Sequence, residues 1–180
     1  MSSNKSILFI LCLSFFITSN SWALSSDKSK PVEVEADNFH LDDAKKVTIY
    51  TGDVIITQGS MVLEADKVTI YGKRGKTDKI IALGNPVKFK QQPDGNQKLI
   101  RGQAQRFEFL VPKDRLILLN KATLWQGQNT FKSDRIVYDS KRSIVKAGSK
   151  DSNSKRVKII LEPAKYYEYF TRRENQQNVQ

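Results

Sequence analysis

Gly52-Asp53-Val54-Ile55-Ile56-Thr57-Gln58-Gly59 recurs as Asn120-Lys121-Ala122-Thr123-Leu124-Trp125-Gln126-Gly127, at a constant offset of 68 residues. In each copy a turn-prone pair is followed by alternating apolar residues and closed by Gln-Gly. Alternation with period two marks a β-strand with one buried face. A second phase runs alongside. Ala36-Asp37-Asn38-Phe39-His40-Leu41, Ala65-Asp66-Lys67-Val68-Thr69-Ile70, Ala104-Gln105-Arg106-Phe107-Glu108-Phe109 and Ser133-Asp134-Arg135-Ile136-Val137-Tyr138 share one pattern, and their starts lie 29, 39 and 29 residues apart. The middle interval is lengthened by a polar insertion around Gln91 to Lys98, and Gly84-Asn85-Pro86-Val87-Lys88-Phe89 is a looser third copy of the first phase.

Outward from these copies the alternation continues in Val32-Glu33-Val34-Glu35-Ala36, Val47-Thr48-Ile49-Tyr50, Val68-Thr69-Ile70-Tyr71, Val87-Lys88-Phe89-Lys90, Phe107-Glu108-Phe109, Leu116-Ile117-Leu118 and Val157-Lys158-Ile159-Ile160-Leu161. β-Branched and aromatic residues dominate these runs, as pleated, half-buried surfaces favour. Thr51-Gly52-Asp53, Gln58-Gly59-Ser60, Gly84-Asn85-Pro86, Pro93-Asp94-Gly95-Asn96 and Gln126-Gly127-Gln128 carry turn signals between them. The expected class is all-β, a meander or sandwich. Repeats of this length further predict stacked units, a quasi-one-dimensional fold whose two open ends each present an unpaired strand. An ordinary closed β-sandwich is the alternative.

The N-terminus reads as a signal peptide. Lys5 precedes an apolar run from Ile7 to Ile17, too short to span a bilayer, and Ser21-Trp22-Ala23 places small residues at a cleavage site. Residues 1–23 are therefore expected to be removed and the protein exported. The only cysteine, Cys12, lies in that run and follows the bulky Leu11, which argues against a lipoprotein. The exported chain then has no cysteine and no disulfide framework. The full sequence has 30 Lys and Arg against 19 Asp and Glu; losing Lys5 with the leader still leaves the exported chain strongly basic, which suits anionic partners, and export makes nucleic acid a poor one. Residues 24–163 are expected to form one domain. After Pro163 the strand pattern stops, and residues 164–180 read as a flexible polar tail that begins with an aromatic cluster.

No catalytic or metal site stands out. The single histidine, His40, occupies a polar strand position and has no cysteine or second histidine to join it. Asp42-Asp43 reads as a turn rather than calcium-loop spacing. Gly75-Lys76-Thr77 lacks the preceding glycine of a phosphate loop, since Ile70 stands there. Nothing marks a particular carboxylate pair for glycoside hydrolysis. The chain is expected to be no enzyme and to need no cofactor.

Pro31-Val32-Glu33-Val34-Glu35-Ala36-Asp37, then Tyr50-Thr51-Gly52-Asp53-Val54-Ile55-Ile56-Thr57-Gln58-Gly59, then Ala65-Asp66-Lys67-Val68, resemble the OstA-like family. The likeness runs from about Pro31 to Pro163 and is loosest in the later copies. It implies an open-ended antiparallel β-jellyroll of two facing sheets. It also implies a periplasmic, non-enzymatic lipid carrier that stacks end to end with related domains and holds lipopolysaccharide acyl chains in an apolar groove. The implied neighbours are an inner-membrane-anchored transport partner at the N-terminal edge and an outer-membrane assembly protein at the C-terminal edge. End-to-end joining of copies is a further expectation.

Given that resemblance, alternation supplies lipid-facing candidates: Val32, Val34, Val54, Ile56, Leu63, Val68, Ile70, Phe89, Phe107, Phe109, Leu118, Leu124 and Phe131. Of these, Val32, Val34, Phe89 and Phe109 match family positions that face the lipid. The edges are expected around Val32, Val34 and Ala36 and around Val157, Ile159 and Leu161, where free backbone groups can add a neighbouring strand. Three alternatives stay open: a membrane-anchored partner of the same pathway, a polysaccharide-acting enzyme on a β-solenoid, and a basic β-protein that binds a cell-surface polymer.

Overall fold

Period-two patterning produces strands nearly everywhere. The computed structural model describes residues 26–73, 75–95, 97–148 and 156–163; the signal peptide and the tail expected from the sequence lie outside these residues. After a 3-10 turn at Ser26–Ser29 come β1 (Glu33–Glu35), β2 (Asn38–Asp42), β3 (Val47–Gln58), β4 (Met61–Lys73), β5 (Lys76–Gln91) and β6 (Ile100–Leu110). A second 3-10 turn, Val111–Lys113, leads to β7 (Arg115–Gln126), β8 (Asn129–Asp139), β9 (Ile144–Ala147) and β10 (Lys158–Ile160).

The strands form one antiparallel sheet in the order β1-β3-β4-β5-β6-β7-β8-β10, with β2 on the same side of β3 as β1 and β9 on the same side of β8 as β10. Each inner ladder breaks register near its middle: at Thr51/Val54, Glu64/Lys67, Leu83/Val87, Gln103/Arg106 and Leu119/Ala122. A bulge bends its strand, so this line of bulges folds the sheet into two leaves. The first leaf holds β1, β10 and the parts of the long strands next to the 59–60 and 127–128 turns. The second holds β2, β9 and the remaining parts. The leaves face each other. Phe89 of the first stacks on Phe107 of the second with ring centroids 5.5 Å apart. A Cβ on Gly102 would lie 3.1 Å from the Leu118 side chain. This is the open-ended jellyroll expected.

One expectation needs correcting. Thr51-Gly52-Asp53 and Gly84-Asn85-Pro86 are not turns between strands. They are the bulges of β3 and β5, beyond which each ladder resumes. Left-handed backbone at Gly52 and Asp53 (φ 81° and 37°) and a cis bond at Asn85-Pro86 fit an irregular point inside a strand as well as a turn. Gln58-Gly59-Ser60 and Gln126-Gly127-Gln128 are true hairpin turns. Gly59 and Gly127 both have φ 59°, as the first position of a type II′ turn demands.

The 68-residue offset is a duplication of structure. β3 and β7 begin and end at equivalent positions, and their bulges match. Their left-handed residues match too: Lys46 with Asp114, and the pair Gly52-Asp53 with Asn120-Lys121. On the same offset β1 and β2 correspond to the two halves of β6, and pairing partners correspond as well: Phe39 opposite Tyr50 becomes Phe107 opposite Leu118. β9 and β10 stand against β8 as the two halves of β5 stand against β4. The sheet is thus two four-strand units, residues 33–91 and 101–160, joined at the β5–β6 ladder.

Candidate functional site

Residues directly opposite in a ladder share a face. Traced strand by strand, the inner faces carry three rows that are apolar almost throughout. On the first leaf the row is Val34, Ile56, Leu63, Phe89, Gly102, Leu124, Phe131 and Ile159. On the second leaf the deep row is Phe39, Tyr50, Val68, Ala82, Phe107, Leu118, Ile136 and Ala147. Nearer its rim run Leu41, Thr48, Ile70, Ile80, Phe109, Leu116, Tyr138 and Val145. At the usual spacing between strands, eight strands make each row about 34 Å long. The result is an apolar slot that runs from one edge of the sheet to the other.

Every candidate residue from the sequence except Val32 falls in this slot. Val54 sits beside the line of bulges, opposite Ala65, and the others belong to the three rows. Val54, Ile56, Leu63, Val68, Phe107, Leu118 and Leu124 are buried, while Val34, Ile70, Phe89, Phe109 and Phe131 are partly buried and packed against that core. Val32 precedes β1 and is exposed. Among the apolar row residues absent from the candidates are Phe39, Leu41, Tyr50, Ile80, Leu116, Ile136, Tyr138 and Val145. Phe39 and Leu41 occupied apolar positions of the repeat, which was signal enough to include them.

Exposure changes along the slot. Its middle is filled by the protein's own side chains, with Val68, Ala82, Leu124 and Ile136 wholly buried. Its ends are open. At the N-terminal end Phe39 is 61% and Leu41 50% exposed, and at the C-terminal end Ile159 is 53% and Leu161 62% exposed. Of the expected edge residues, Val34 lies in β1 and Ile159 in β10, while Val32, Ala36, Val157 and Leu161 flank them. Among the described residues, β1 and β2 pair only with β3, and β9 and β10 only with β8.

The side of the slot opposite the bulges is bridged by the N-terminal 3-10 turn. Asp27 docks on the first leaf's rim. It accepts hydrogen bonds from the Ser60 backbone amide (2.7 Å), the Ser60 hydroxyl (2.6 Å) and the Gln91 side-chain Nε2 (3.2 Å). Burial pushes the Asp27 carboxyl up, but those three donors outweigh it and the net shift is downward. The next residue, Lys28, reaches the second leaf's rim and pairs with Asp114 at 2.7 Å. The lack of a side chain at Gly59 matters here, because a Cβ would collide with Asp27.

The outer face differs in charge between the two bulges and between the first and last strands. Glu33, Glu35, Asp53, Glu64 and Asp66 are exposed in the first unit. Lys121, Lys132, Arg156 and Lys158 are exposed in the second, the first three lining a hollow of about 290 Å³ with Thr123, Ser133 and Asp134. Among the described residues no three His, Cys, Asp or Glu side chains are grouped to hold a metal ion, and no helix is long and apolar enough to cross a membrane.

Residues 33–144 match the family model described as LptA/(LptD N-terminal domain) LPS transport protein. The chain belongs to this family. The lipopolysaccharide export system protein LptA of Haemophilus influenzae is 36% identical over 165 residues, covering 90% of this chain and 93% of that protein. LptA of Escherichia coli K12 is 32% identical over 167 residues, covering 90% and 88%. LptH of Pseudomonas aeruginosa, described as the LptA-homologous periplasmic component of the lipopolysaccharide transport device, has a crystal structure that superposes with a TM-score of 0.68 at 31% identity. That match covers 77% of this chain and 99% of LptH. The family's β-sheet architecture, with its open edges, is the one described above.

Proposed function

We propose that this chain is a non-enzymatic periplasmic carrier that shelters lipopolysaccharide acyl chains in the slot between its leaves. Stacked end to end, it forms a segment of a bridge from the inner to the outer membrane. The observation that carries this reading is the set of three largely apolar rows, which run from edge to edge and are exposed at Phe39 and Leu41 at one end and at Ile159 at the other. Each methylene sheltered from water is worth about 0.8 kcal/mol, so acyl chains need such a path across the periplasm. The filled middle means that the leaves part about the bulge line to admit a chain. A polar head group then stays outside, along the rims. Removal of residues 1–23 would release the protein into the periplasm.

The duplication supplies a template for stacking. If β10 and β9 of one copy meet β1 and β2 of the next as β5 meets β6, then Ile159 stands opposite Val34, Ala147 opposite Phe39 and Val145 opposite Leu41. All three rows then continue into the neighbour. On the outer face the same register sets Lys158 opposite Glu35, an opposite-charge pair. An inner-membrane-anchored partner at the N-terminal edge and an outer-membrane assembly protein at the C-terminal edge would use the same edges.

Site-specific photocrosslinking tests the slot. A photoreactive residue in place of Phe89 points into the first-leaf row, while one in place of Lys88 points outward beside Glu64. Lipopolysaccharide adducts at 89 and not at 88 are expected. Adducts at neither position, in cells whose outer membrane is being assembled, sink the reading. N-terminal sequencing of the exported protein checks the leader: it should begin at Leu24, and a start at Met1 would favour a membrane-anchored relative.

A further inference from the structure

The polar N-terminal turn plays no part in the apolar slot, yet it joins the slot's two rims. We infer that residues 26–30 are a strap across the open side of the slot, and that it must unlatch for a lipid head group to pass. The inference rests on the carrier reading above.

The geometry gives the strap two unequal ends. On the first leaf Asp27 is buried and takes three hydrogen bonds, and the backbone carbonyl of Lys30 accepts a fourth from the Gln58 side chain at 3.1 Å. On the second leaf Lys28 reaches Asp114 at 2.7 Å, and the Lys28 side chain is 58% exposed. Buried charge-assisted hydrogen bonds are strong, whereas exposed ion pairs are weak and screened by salt. The Asp27 end is therefore the fixed anchor and the Lys28 end the latch. The positions of the contacts also fit a crossing over traffic. Asp27 sits on the β3–β4 turn and the end of β5, while Asp114 lies between β6 and β7 on the opposite leaf. A lipid with its chains between the leaves and its sugars and phosphates outside would meet this crossing midway along. Its anionic groups compete with Asp114 for Lys28, so the head group itself can open the latch.

The test is the rate at which fluorescently labelled lipopolysaccharide enters and leaves the exported protein, measured by stopped flow together with the equilibrium affinity and the melting temperature. Lys28→Ala frees the latch and leaves the anchor. It should raise association and dissociation rates together by about two- to fivefold, the factor an exposed ion pair can supply, with affinity nearly unchanged. A Lys28→Cys, Asp114→Cys pair joined by a cleavable bis-maleimide should slow both rates strongly, and cleaving the linker should restore them. A merely structural staple would instead lower the melting temperature of Lys28→Ala and leave the rates alone. That result, or a linked protein that exchanges lipid as fast as the cleaved one, overturns the strap. Failure of the unaltered protein to bind lipopolysaccharide at all would sink the carrier reading, and the strap with it.

Discussion

The two units of this chain share a backbone to the level of individual left-handed residues and differ in charge. Around the bulge of β3 stand Asp53, Glu64 and Asp66, and at the equivalent places around the bulge of β7 stand Lys121, Lys132 and Asp134. The outermost strands differ in the same sense, with Glu33 and Glu35 at one end and Lys158 at the other. The fold therefore does not dictate these charges. An acidic first strand and a basic last one give the molecule a direction, and they disfavour contact between two like ends, since like charges directly opposite on neighbouring strands repel.

The comparison can be broken most forcefully in the core. Leu124 and Ile56 are equivalent and both buried in the first-leaf row. If the units are equal partners in one core, Leu124→Ala and Ile56→Ala should each cost about 2–5 kcal/mol in urea unfolding, in a single shared transition. Two separate transitions would show that the units fold apart. The next largest effect separates middle from end. Gly102 corresponds to Val34 at the N-terminal mouth, but Leu118 closes over Gly102. Gly102→Val should cost about 1–3 kcal/mol by overpacking. Adding Leu118→Ala should recover part of that cost, read by the same melts.

A smaller effect tests the charge polarity. Lys158→Glu should weaken end-to-end association by about two- to tenfold, and Glu35→Lys in the same chain should restore it, by sedimentation at low salt. Equal association of all three proteins would remove the electrostatic role. The smallest effect is local and acidic. Hydrogen bonds from Arg142 hold the Asp139 carboxyl below its ordinary value, although burial opposes them, and the Lys45 amide and side chain do the same for Asp42. A carboxylate lowered in the folded state contributes stability at neutral pH that is lost as pH falls through its folded pKa. In carboxyl-carbon NMR titrations both groups should titrate low. Arg142→Ala should bring Asp139 back toward the ordinary carboxylate range and leave Asp42 where it was.

Much of this organisation was legible in the sequence because it is periodic. The alternation found the strands, and the offset between Gly59 and Gly127 marked the repeat. What the sequence left ambiguous was the meaning of its punctuation. Gly52-Asp53 and Gly84-Asn85-Pro86 carry the residues of a turn, yet a ladder resumes beyond each, and only pairing partners tell a bend from a reversal. The slot candidates were legible as apolar positions, but the gradient from buried Leu124 to exposed Phe39 depends on whether a facing leaf covers them. The strap was invisible. Asp27 meets Ser60 and Lys28 meets Asp114 across long sequence separations, and single polar residues carry no period to read.

The first and last strands are interrupted, β1 from β2 and β9 from β10, whereas β5 and β6 at the internal junction run through their bulges as single strands. In the proposed stacking, a joint between copies would be two short seams set side by side, where the joint inside each copy is one long weld. A row of such molecules has its perforations built in. Under strain such a row would part between subunits while every subunit stays whole, so the proposed bridge could lengthen, shorten or be repaired by exchanging complete pieces.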